Sequence, residues 1–125
     1  MTTTRVTEFD NVLDDLAGLT WLPGITQILD GIREAQTAIS RGDLTTDATQ
    51  TLIAGIAGSA GADLVSALAH LTAHATNPHT NPALHQLPAT QQKETQHHGE
   101  TALFHLTDTW LHQHASEASA AISQY

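Results

Sequence analysis

With no cysteine among its 125 residues and a formal net charge of -9, the chain excludes disulfides, thiolate metal ligation and cysteine nucleophiles. Phosphates and anionic membrane surfaces are both met by clustered basic side chains, and only four Lys and Arg stand against 13 Asp and Glu, which argues against direct binding of nucleic acid or a membrane. A chain this long suits one domain, residues 1–125, and buries roughly two thirds of its unfolded surface.

The opening MTTTRVTEFD has no basic segment followed by an apolar run, so no signal peptide is expected and a cytoplasmic location is the default. Residues 1–5 read as a frayed tail, as do 123–125. Val6, Phe9, Leu13, Leu16 and Leu19 step by three and four, with Asp10, Asp14 and Asp15 on other faces, which predicts a first amphipathic helix. Thr20-Trp21-Leu22-Pro23-Gly24 interrupts it, because proline lacks a backbone donor and restrains Leu22; Thr20 is a candidate cap for the next helix. The chain either turns back here or kinks. Ile25, Ile28, Leu29, Ile32, Ala35 and Ile39 form a second stripe, closed by Ser40-Arg41-Gly42 with glycine at the C′ position.

The stretch Thr46 to Thr76 is rich in Ala, Gly, Leu and Ile. Leu52, Ile56, Ala60, Leu64, Leu68 and Leu71 fall on one helical face, with Thr45 or Thr46 as cap and Asp47 in the first turn. As one helix it would span roughly 46 Å and serve as the central rod. A break at Gly58 to Gly61 is the alternative, since each glycine costs about 1 kcal/mol relative to alanine in a helix. Asp63 and the many small residues make it a poor membrane span. Two Asn-Pro signals come next, and residues 77–88 form a long loop that Leu84 and Leu87 can pin to the bundle. A last helix is predicted from Ala89 or Thr90 to Ile122, with Leu103, Leu106, Trp110, His114, Ala118 and Ile122 on one face. Trp21 and Trp110 read as core anchors.

Two features bear on function. Gly55, Gly58 and Ala62 belong to a small-residue seam suited to close helix packing, within the chain or against a second copy in a homodimer, and the seam matches no phosphate-binding loop. All nine histidines lie at or after His70, behind an acidic first half, so mild acidification would change the charge balance and, with it, association. His70 and His74 are one turn apart, and His105, Asp108 and His112 keep helical spacing on the last helix. Facing helices with such donors are what a bundle needs to hold Zn, Ni or Fe. The zincin glutamate after the first histidine is absent, and only one E-x-x-H occurs, Glu94 to His97, so neither a zincin nor a ferritin-like site is complete.

The expected architecture is an all-α bundle of about four helices, two shorter and two long, mostly antiparallel. The expected role is that of a small acidic, non-enzymatic interaction or regulatory protein with no cofactor and with a basic protein partner; the competing expectation is a bundle binding a divalent transition metal through His70, His74, His105, Asp108 and His112.

Overall fold

The computed structural model describes residues 7–122; the frayed ends expected at 1–5 and 123–125 lie outside the described residues. The protein is all-α, with six α-helices and no strand among the described residues, and the chain divides into two compact units at Leu44/Thr45.

In the first unit, α1 (Glu8–Leu16) starts at Thr7 through a reciprocal cap: the Asp10 amide donates to the Thr7 hydroxyl and the Thr7 amide donates to the Asp10 carboxylate, both at 3.1 Å. Those bonds, led by the Thr7 amide, with help from the Thr7 hydroxyl and Gln36, hold the Asp10 carboxyl below its ordinary value. A 3₁₀ turn, Ala17–Leu19, comes after α1, and Gly24 takes φ +86°, a left-handed value glycine adopts without strain. Then α2 (Ile25–Ser40) runs back along α1. Gln36 donates to Asp10 at 3.2 Å and Arg33 lies 3.9 Å from Asp14, so residues advance on one helix as they recede on the other. This is a hairpin and not a kinked rod. Leu13 and Leu29 are its buried apolar residues. Gly42, at φ +71°, ends α2 as expected, whereas Thr20 does not cap it: its hydroxyl donates backwards to the Ala17 carbonyl.

The second unit contains α3 (Thr46–Ala57), α4 (Leu64–Thr76), α5 (Ala89–Leu106) and α6 (Thr109–Ile122). The topology is nested: α4 and α5 form an inner pair, and α6 returns antiparallel to α3. Both helices expected to be long are therefore broken, the central one at residues 58–63 and the last one at Thr107 and Asp108. The two breaks account for the difference between the six helices of the described residues and the expected four. At the first break Gly61 takes φ +84° and Asp63 caps α4 by accepting from the Ser66 amide. At the second, the Thr107 amide still bonds back to Leu103, and Asp108 accepts from the Trp110 amide to start α6. The 77–88 connection is tied to the end of α4. Thr80 donates to the His74 carbonyl at 2.6 Å and Asn81 to the Ala75 carbonyl at 2.8 Å, satisfying acceptors that the helix terminus leaves open.

The breaks reset the helical phase, and the expected core shifts with it. Leu64, Leu68 and Leu71, placed on the packed face of a continuous rod by their spacing, are 59%, 48% and 56% exposed, while Ser66 and Ala69 on the other side of α4 are buried. On α6 the buried positions are His112 and Ser119, not the expected Trp110 and His114. Neither tryptophan is a core anchor, because Trp21 sits in the interhelical turn and Trp110 on the outer side of α6's first turn, each 78% exposed.

Candidate functional site

The two breaks meet. Asp63 stands at the N-terminus of α4, where backbone amides and the helix dipole favour an anion. Its Oδ1 accepts from the Ser66 amide at 2.8 Å and its Oδ2 from the Ser59 amide at 3.0 Å. Across the gap, His112 of α6 points its ring between the C-terminal ends of α3 and α5. Nδ1 lies 2.6 Å from Asp63 Oδ2 and 2.7 Å from the Ala57 carbonyl, and Nε2 lies 2.6 Å from the Leu106 carbonyl. Both side chains are essentially sealed from solvent.

Every partner of the ring is an acceptor. A neutral imidazole carries one N–H and would turn the other nitrogen's lone pair on a carbonyl oxygen, so the geometry selects the imidazolium, which donates at both nitrogens. The Leu106 carbonyl is the leading cause that raises the His112 pKa above its ordinary value; burial opposes it, and the Ala57 carbonyl and Asp63 reinforce it. For Asp63 burial is the largest single influence and pushes upward, but hydrogen bonds from Ser66 and Ser59, with the charge of His112, bring the net shift below the ordinary value. The junction thus places a cation at two helix C-termini and an anion at a helix N-terminus, each where the backbone dipole favours it. Ser66 completes it by accepting from the Gly61 amide at 2.8 Å. No buried side-chain polar atom among the described residues lacks a partner.

Chemically this is a clasp. Acid–base work needs a ring nitrogen facing the substrate, and here both are engaged by backbone and carboxylate. Among the described residues no serine hydroxyl lies on Nε2 as a nucleophile would; the Leu106 carbonyl does.

The residues singled out as metal donors are dispersed in role. His112 is in the clasp and Asp108 caps α6. His70 and His74 are exposed on α4, and His105 is exposed near the end of α5, its ring edge-on to Phe104 at 5.5 Å. Among the described residues no three or more His, Asp or Glu gather so as to hold a metal ion. The seam residues also separate. A Cβ at Gly58 would lie 2.9 Å from the Ala54 Cα and 3.3 Å from the Ser116 amide of α6, so Gly58 serves close packing inside the chain. Gly55 has open space around it and Ala62 is exposed in the break.

The outward surface of this unit offers two features. One is the leucine face of α4. The other is an open concavity of about 440 Å³ on α6 and the first break, lined by Gly58, Ala60, Trp110, Gln113, Ser116 and Glu117 among others.

The fold and junction define a small all-α helical bundle, and no described helix is long and apolar enough to cross a membrane. Comparison with protein-family models, curated proteins and solved structures finds no match to this chain.

Proposed function

We propose that this chain is a non-catalytic interaction protein that docks a basic amphipathic helix of another protein over the leucine face of α4. The supporting observation is the inversion of α4: its small and polar face, Ser66 and Ala69, is buried, and the face bearing Leu64, Leu68 and Leu71 points outward. Leucines at i, i+4 and i+7 match the anchor spacing with which helices recognise one another. Burying one leucine contributes about 1.5–3 kcal/mol, so three exposed together constitute a strong apolar surface. Charge selects the partner, because a chain of formal net charge -9, counted with neutral histidines, attracts a cationic helix and repels a second copy of itself.

The test is fluorescence anisotropy with two labelled peptides that share one leucine pattern and carry either Lys or Glu at the polar positions. The Lys peptide is expected to bind saturably at 1:1, more weakly as salt rises, and at least tenfold more tightly than the Glu peptide. Leu68→Ser with Leu71→Ser is expected to weaken it at least tenfold with helix content unchanged by circular dichroism. Equal binding of the two peptides, or unchanged binding in the variant, would overturn the proposal. So would a dimer in sedimentation that the variant dissociates, since the occupant would then be a second copy.

A further inference from the structure

We infer that the α6 concavity is the seat of an arginine side chain. The inference deepens the reading above and rests on it for the source of that arginine, the basic partner. Trp110 and Glu117 are seven residues apart, about two turns, and so share one side of α6 while both line the concavity. The Trp110 indole is exposed enough to present a face to a cation. Glu117 Oε1 accepts from Gln113 Nε2 at 3.0 Å, and Oε2 lies 3.4 Å from Nδ1 of the exposed His114. Those contacts orient the carboxylate and leave it further acceptor capacity, since its two oxygens offer about four lone-pair sites. Neither Lys nor Arg lines the concavity, and the charge of His112, which does, is sealed from solvent and paired with Asp63 at 2.6 Å. Asp108, at the head of the same helix, adds negative charge beside Trp110, whose amide it accepts at 2.9 Å.

An aromatic face with a carboxylate two turns on suits guanidinium better than ammonium. The planar fork stacks on indole and donates two parallel bonds to a carboxylate, whereas lysine carries a compact, strongly hydrated charge. The arginine stem would cross the floor at Gly58 and Ala60, where no long side chain stands in the way.

The experiment is an NMR titration of the full ¹⁵N-labelled chain, read at the Trp110 indole N–H, which Trp21→Phe distinguishes from the other indole. The probes are N-acetyl-arginine amide and its neutral isostere N-acetyl-citrulline amide. The arginine probe is expected to give a saturable shift, the citrulline probe one at least fivefold weaker in affinity. Glu117→Gln is expected to weaken the arginine probe at least fivefold, and Trp110→Leu to abolish the response read at the Gln113 amide. Both side chains are exposed, so the fold survives these changes. An unmoved indole, an equal response to citrulline, or an unaltered Glu117→Gln titration overturns the inference. Failure here with the Lys peptide still bound loses the seat and keeps the docking face; binding here with no peptide bound does the reverse.

Discussion

In the α1–α2 hairpin the buried residues are Leu13 and Leu29, and the polar links between the helices, Gln36 to Asp10 and Arg33 to Asp14, involve side chains that keep solvent access. In the unit from Thr45 onward the buried side chains among the described residues are polar at Asp63, Ser66, His112 and Ser119, with Ala69 the apolar exception. The first arrangement is held by non-directional apolar contact, which tolerates small errors in position. The second is held by directional bonds at helix ends, and the large apolar side chains of α4 are left for the surface. Burial alone therefore does not tell which interactions set a helix pair: a sealed ion pair is costly to assemble and much costlier to break on one side, whereas an exposed pair contributes little.

The largest effect that separates the two regions is expected from His112→Leu, which leaves the Asp63 carboxylate buried without its cation and the Ala57 and Leu106 carbonyls without a donor. A loss of about 3–5 kcal/mol in urea unfolding is expected, against less than about 1 kcal/mol for Arg33→Gln in the hairpin. Equal losses would erase the distinction. Next comes Gly99→Ala. A Cβ there would fall 1.7 Å from Thr76 Oγ1 and 2.6 Å from its Cβ, so α4 and α5 must part. The expected cost is about 1–3 kcal/mol despite alanine's better helix propensity, and Thr76→Ala in the same chain should restore only part of it, because the Cβ of residue 76 at 2.6 Å stays in the way.

The smallest effect is that of pH across the range where the fold persists. His112 is held above its ordinary value of 6.5, so its contribution is complete below that value and is lost as pH rises through its folded pKa. Asp63 is held below its ordinary value of 3.8, so its contribution is complete above that value and is lost as pH falls through its folded pKa. The urea midpoint of the wild type should therefore plateau between these limits and decline on the alkaline side. A neutral His112 still donates one of its bonds, so the decline should be smaller than the loss in His112→Leu. In His112→Gln the alkaline decline attributable to this residue should vanish; its persistence there would assign it elsewhere.

The two helices of the first unit were readable from the sequence because each of their signals is local; that they fold back as a hairpin was decided by the tertiary contacts of Gln36 with Asp10 and Arg33 with Asp14. Apolar spacing places Leu13 and Leu29, Pro23-Gly24 interrupts the helix, and Gly42 ends α2 by a dihedral angle glycine favours. The breaks in the second unit also left local marks, since Gly61 with Asp63 and Thr107 with Asp108 pair a stop with a cap. Those marks compete with apolar spacing that runs on through both of them, from Leu52 to Leu71 and from Leu103 to Ile122, and spacing alone reads each as one rod. His112 carries no local signal of its role at all. Its partners Ala57, Asp63 and Leu106 belong to three other segments, and a histidine one turn before Ser116 reads the same whether it is buried or solvated.

By itself the sequence determined the all-α class, the two helices of the first unit and the interruption between them, the acidic charge and the position of the long connection, because periodicity, proline, glycine and charge act within a few residues. The tertiary structure decided which face of α4 is outside, that both long helices break where they meet, and that Asp63 and His112 join there as an ion pair. Those outcomes depend on helix ends brought together from more than forty residues apart, as Asp63 and His112 are, and on a desolvation balance that exists only once the junction closes.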